Sequence, residues 1–279
     1  MLLVYIVLAV LGGLALFGCL VILALRTLVN GRSIKTRGWN PDAGHTVLAV
    51  FAHPDDEVMV CGTLARVKRA GGMVHCLYLT RGEDGPTGGI VEKEKLGEYR
   101  ENELARVREI IKADNFTVMR YPDRYLNTVD KATLQGEILR QIEQHSPDAV
   151  ICFDDALGLY GHPDHAYSGL CTAELLHSKD PHGVQTLLVM TLPSPMIALA
   201  QKLSKTFKER YDAGKGLPEA NLSVAISRFA RCKIQVVRAH KTQWQVMKDV
   251  QPLHDRIPYF IYYRIFSREY YRMEPLSSH

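Results

Sequence analysis

Residues 47–57 read VLAVFAHPDDE. The first six, 47–52, are apolar without a break, as expected of a strand buried on both faces of a parallel sheet. The run ends in His53-Pro54-Asp55-Asp56-Glu57, which sets metal-ligand and acid–base side chains at a strand-to-helix corner. Pro54 favours a turn and is tolerated at a helix start. Similar apolar runs follow at 73–79 (MVHCLYL), 116–121 (FTVMRY), 149–153 (AVICF) and 186–192 (TLLVMTL). Between them, 57–70, 98–112, 131–145 and 164–177 read as helices. In 98–112, Leu104, Val107, Ile110 and Ile111 lie along one helical stripe. Strands alternating with such helices imply right-handed βαβ units. The expected fold is α/β, a Rossmann-like three-layer sandwich with a mostly parallel sheet. Ligands then bind beyond the C-terminal strand ends, where the polar clusters fall.

The 279 residues, 47% hydrophobic and 23% charged, suit one well-buried domain and exclude general disorder. A net charge of +4 argues against a nucleic-acid partner. The charge is uneven: 196–279 carries 15 basic and 7 acidic residues, a net of +8. Such a region suits anionic lipid, an anionic substrate or a plain solvated surface. The six cysteines are scattered without a CxxC pair and read as reduced thiols.

Residues 1–25 contain no charged side chain. At about 1.5 Å per residue the run spans a hydrocarbon layer of roughly 30 Å. No Lys or Arg precedes it and no A-x-A cleavage pattern follows, so an uncleaved anchor is expected over a signal peptide. Arg26, Arg32, Lys35 and Arg37 follow the span, which places the remainder in the cytoplasm by the positive-inside rule. The expected organisation is an anchor at 1–26, a linker at 27–44 and a catalytic domain at 45–279. Within that domain, 193–221 reads as a long loop or flap with some helix. Residues 222–226 read as a strand, 227–239 and 244–250 as helices. The aromatic tail 259–271 (YFIYYRIFSREYY) reads as an edge strand plus turn, or as an aromatic patch at the membrane interface.

A second corner, Gly161-His162-Pro163-Asp164-His165, repeats the first after the fourth strand. His53 and Asp56, three residues apart, can converge on one point, leaving Asp55 free. Alone, Asp55 and Asp56 read equally well as helix caps. Two His-Pro-Asp corners at two strand ends should face one crevice. One carboxylate and two imidazoles suit a three-ligand catalytic zinc with an open position. One carboxylate and one imidazole remain for proton transfer and charge stabilisation. Asp154 and Asp155 either shape the site or cap a loop. Were they bridging ligands, a metal-dependent phosphoesterase would be the alternative. A membrane-tethered binding protein without catalysis is the other.

The AHPDDE at 52–57 and GHPDH at 161–165 resemble the PIG-L/LmbE-like zinc-dependent N-acetylglucosaminyl de-N-acetylases. The LTRGEDG at 79–85 is similar to the family's TRGE-type loop, and Arg100 and Glu103 to its R-x-x-E helix. The RAHKTQ at 238–243 is similar to its late H-x-S-Q element, with Thr242 where Ser is usual. The likeness covers about 46–243. It implies one Zn2+ per chain held by His53, Asp56 and His165, with Asp55 as general base. His162 would stabilise the oxyanion or act as acid, and Asp164 would orient it. The implied substrate is an amino-sugar conjugate, lipid-linked if the anchor serves access. Arg81, Glu83, Arg100 and His240 are candidates to hold it, with an ion pair to an acidic neighbour the alternative for Arg100.

Overall fold

The computed structural model describes residues 1–30, 34, 38–178 and 183–276. Arg32, Lys35, Arg37, His182 and His279 lie outside them. Helix α1 (Leu2–Asn30) is long and apolar enough to cross a membrane, with a mean hydropathy of 2.9 over a window of which 0% is buried. It runs past the expected boundary at 26 because no proline interrupts it and its end is held. Asn30 Nδ2 donates to the Ile265 carbonyl at 2.7 Å, and the Tyr270 hydroxyl donates to Asn30 Oδ1 at 2.8 Å.

The doubly wound part begins at β1 (Thr46–Phe51), followed by a 3-10 turn (Asp56–Met59) and α2 (Cys61–Arg69). Next come β2 (Met73–Tyr78), α3 (Leu96–Ile111), β3 (Asn115–Val118) and α4 (Lys131–His145), the last capped by Asp130 on the Thr133 amide. Strand β4 (Ala149–Cys152) leads to one distorted turn, α5 (Gly158–Gly161), then α6 (Pro163–Leu176) and β5 (Thr186–Thr191). Helices α7 (Ser194–Leu203) and α8 (Lys205–Arg210) precede β6 (Leu222–Ala225). Helices α9 (Ala230–Ala239), α10 (Trp244–Val250) and α11 (Tyr259–Ile265) precede β7 (Arg268–Pro275).

The sheet order is β3-β2-β1-β4-β5-β7-β6. The first five strands are parallel and β7 is antiparallel to both neighbours. Strand β1 is central, so alternate residues feed two cores. Val47, Ala49 and Phe51 pack with α2, α3 and α9; Leu48, Val50 and Ala52 pack with α4 and α6. This is the expected three-layer, mostly parallel architecture.

Two expectations change and one is filled in. The tail 259–271 is helix α11 followed by β7, and β7 is internal rather than an edge. Pro258 starts that helix, and burial of Tyr262, Tyr263 and Ile265 overrides the strand preference of aromatic residues. The stretch 193–221 contains α7 and α8, the latter capped by Ser204, whose hydroxyl bonds Asp249 at 3.0 Å. The helix expected over 57–70 is broken at Val60, because Asp55 and Asp56 are committed to the corner.

Candidate active site

Both His-Pro-Asp corners sit at C-terminal ends of adjacent strands, β1 and β4, and they meet. His53 Nδ1 lies 3.2 Å from His165 Nε2. Asp56 Oδ1 lies 3.1 Å from His165 Nε2, and its Oδ2 lies 3.7 Å from His53 Nδ1. All three side chains are buried.

Each ring is fixed from behind. His165 Nδ1 lies 3.1 Å from the Gly158 carbonyl, and the ring stacks on Phe153 at 3.9 Å. Gly158 has φ +55°, and a Cβ there would collide with His165. His53 Nε2 lies 3.1 Å from Asp123 and 3.2 Å from Asp164. With both outer nitrogens carrying hydrogen, the two inner nitrogens present lone pairs to each other and to a carboxylate. Such a set fits a cation. A tetrahedral zinc with bonds of about 2.0–2.1 Å keeps its donors roughly 3.3 Å apart, the spacing found here. Burial pushes His165 down, as neutral ligation requires. Burial also acts against His53, but the carboxylates of Asp123, Asp164 and Asp56 reverse it and raise it to about 10, so a cation binding at Nδ1 must displace a proton there.

Asp55 stands beside this cluster with a left-handed backbone, φ +105°. That conformation is strained for a residue with a side chain, and such strain gathers at functional sites. Glu57 accepts the Asp55 amide at 3.1 Å, and Arg100 Nη2 contacts Asp55 Oδ1 at 3.1 Å. Burial raises the Asp55 carboxyl to about 6 against the opposing pull of Arg100. Asp56 is likewise raised to about 6 by burial, with His53 opposing.

Asp164 is placed differently from the expectation. Its carboxylate accepts the Arg124 amide at 2.6 Å and the Leu126 amide at 3.2 Å and turns to His53, not to His162. His162 stacks on His165 at 4.4 Å, and its Nδ1 has no hydrogen-bond partner. Burial and the neighbouring His165 and His53 push it down to about 2, so it rests neutral. His53, His162 and His165 nonetheless form one cluster of possible metal donors.

The four substrate-binding candidates are largely committed to the protein. Arg100, 3% exposed, grips the Pro54 carbonyl, the Gly82 carbonyl at 2.9 Å and Asp55. Gly82 permits this, because a Cβ there would strike the guanidinium. His240 hydrogen-bonds Glu57 behind the corner and does not reach the metal donors. Arg81 pairs with Glu101 at 2.5 Å, half-buried. Glu83 accepts the Asp123 amide at 3.2 Å, leaving Oε2 without a partner. Glu103 accepts both the amide and hydroxyl of Thr242, at 2.9 and 2.8 Å, which explains why Thr serves there. Asp154 caps a loop, accepting the amides of Ala156, Leu157 and Leu159.

Asp123 is the side chain at the site that sequence reasoning passed over, and Glu57 was read as part of the first corner without a role of its own. Asp123 follows Pro122 just beyond the end of β3, the same strand-end position as both corners. Burial works against its charge, but His53 holds it well below the usual carboxylate range.

The family model described as GlcNAc-PI de-N-acetylase matches residues 48–176, which contain both corners. Over these residues the chain is similar to the PIG-L family. The chain is 27% identical over 202 residues to a probable N-acetyl-alpha-D-glucosaminyl L-malate deacetylase 2 of Bacillus anthracis, covering 71% of the chain and 81% of that protein. It is 25% identical over 232 residues to a 1D-myo-inositol 2-acetamido-2-deoxy-alpha-D-glucopyranoside deacetylase of Mycobacteroides abscessus, with 73% and 83% covered. The fold matches N,N'-diacetylchitobiose deacetylase of Pyrococcus horikoshii with a TM-score of 0.61 at 20% identity, covering 90% of this chain and 92% of that one. The PIG-L relatives are deacetylases, and this chain is an enzyme of that hydrolase class.

Proposed function

We propose that the chain hydrolyses the N-acyl amide of an amino-sugar conjugate containing N-acetylglucosamine, using one zinc ion held by His53, Asp56 and His165. The observation that carries this reading is the meeting of these three donors, none more than 3.7 Å from the next, beside a buried and strained Asp55. Zinc bound there supplies Lewis acidity to the amide carbonyl and to the attacking water. Asp55 takes the proton of that water and delivers it to the leaving nitrogen. A C–O bond forms, the C–N bond breaks, and acetate and a free amine leave. Arg100 and Glu57 hold Asp55 in place. Neutral His162 donates a ring N–H to the carbonyl oxygen as charge builds on it. Asp123 and Asp164 fix the tautomer of His53. The phosphoesterase alternative is disfavoured, because Asp154 is occupied by backbone amides and Asp155 is exposed.

Helix α1 anchors the domain at a membrane with the catalytic part facing the cytoplasm, a reading supported by its apolar, exposed surface and the basic residues after it. Such anchoring favours a lipid-linked conjugate. The test is acetate release by zinc-loaded full-length protein from N-acetylglucosamine linked to inositol, malate, nucleotide or polyprenyl phosphate. At least one conjugate should be turned over, and chelation should abolish it. A chain that retains one zinc yet acts on none would be a tethered binding protein.

A further inference from the structure

An apolar cavity of about 140 Å³ borders the catalytic cluster, with Asp55, Asp56 and His165 in its lining. Its walls are Met196 and Leu199 of α7, Met247 of α10 and Phe266 after α11. Helices α7 and α11 are also those against which α1 packs. These two helices also carry exposed apolar side chains: Leu203 at the end of α7 is 45% exposed and Phe260 of α11 is 49% exposed. The ionic side chains of the lining away from the cluster, Lys233, Glu269 and Arg268, are already paired. The Lys233 ammonium donates to the Val58 carbonyl at 2.8 Å and to Glu269 at 2.5 Å. The cavity therefore offers water few partners and suits an apolar occupant.

We propose that this cavity receives the acyl chain of the scissile amide, and that the preferred acyl group is an aliphatic chain of about six carbons or more. This rests on the proposed amide hydrolysis. The carbonyl carbon must lie at the metal donors, and the group bonded to it on the side away from nitrogen is the acyl chain. Asp123, which holds the other ring nitrogen of His53, does not border the cavity, and neither do Glu83, which accepts its amide, and Arg124, next in the chain. They leave that side to the sugar. A dry cavity of about 150 Å³ takes up a benzene ring, so one acetyl methyl would fill little of this one.

The test uses the zinc-loaded full chain in lipid nanodiscs with N-acylglucosamines of two, four, six and eight acyl carbons. The expected kcat/KM rises about fourfold per added methylene up to about six carbons. Ala200→Phe, on the α7 wall, should lower the hexanoyl-to-acetyl ratio at least about tenfold; Met247→Trp serves the same purpose if that variant does not fold. Independently of turnover, calorimetry should show hexanoate binding more tightly than acetate, with a negative heat-capacity change. Acetyl as the fastest substrate would overturn the inference and leave the proposed function standing. A gain from an octyl aglycone instead of a longer acyl chain would overturn it too. If neither these compounds nor the four conjugates above are hydrolysed, the proposed function itself falls, and hexanoate binding no tighter than acetate overturns the cavity assignment on its own.

Discussion

The tripeptide His-Pro-Asp occurs at the end of β1 and again after β4, and its residues do different work at the two places. His53 turns Nδ1 towards His165, whereas His162 stacks on His165 with its Nδ1 unpartnered. Asp55 takes a left-handed backbone and meets Arg100. Its counterpart Asp164 lies in the first turn of α6 and braces the histidine of the other corner. Only the next residue keeps its role, as Asp56 and His165 both face the cluster. Backbone path, not residue identity, assigns the roles. The first corner enters a 3-10 turn through a strained residue, while the second enters an α-helix directly through Pro163.

The two histidines give the largest expected contrast. His53→Ala should lose both metal and activity, while His162→Ala should keep its metal and lose turnover by about a hundredfold, the scale of one stabilising donor. Metal content by mass spectrometry beside acetate release checks this. Loss of metal from His162→Ala would make both histidines ligands and erase the distinction.

The two aspartates come next. Asp55→Asn should retain zinc and lose turnover by at least about a hundredfold. Asp164→Asn should instead weaken zinc affinity by about 10- to 100-fold, as expected of a group bracing a ligand. Competition with a chelator reads the second effect. Unchanged affinity in Asp164→Asn would return that residue to the support of His162.

The smallest effect lies away from both corners. His75 and His145 stack at 3.8 Å, and no hydrogen bond reaches His75 Nδ1. Burial and then His145 push His75 down to about 4 from its ordinary 6.5. The unfolded chain therefore binds this proton first as pH falls. Stability present above pH 6.5 is lost between about 6.5 and 4. His75→Phe should show a smaller drop in melting temperature from pH 7.5 to 4.5 than the parent, and an equal drop would remove this pair from the acid response.

The parts of the fold and site that lie in short runs of sequence were legible. Strands β1 to β5 announce themselves as apolar runs, and the corners carry ligand-type residues next to one another. What was illegible depends on long-range placement. Asp164 adjoins His162 in the chain, yet the loop after β3 brings the Arg124 and Leu126 amides to it and turns it to His53. Asp123 carried the same Pro-Asp signal at a strand end but lacked a neighbouring histidine. Arg100 and His240 read as candidate substrate contacts, yet Arg100 braces the first corner, His240 holds Glu57, and Glu103 pairs with Thr242. The aromatic tail has strand-forming residues but becomes a helix, because its buried side chains and Pro258 outweigh local preference.

The central claim is that two corners grip one ion with two imidazoles and one carboxylate. Zinc-edge X-ray absorption on the purified full chain, with zinc counted per protein, tests it most directly. The account predicts one zinc per chain with two imidazole nitrogens and two oxygens in its shell. Two metals per chain, or a shell without histidine, would contradict it.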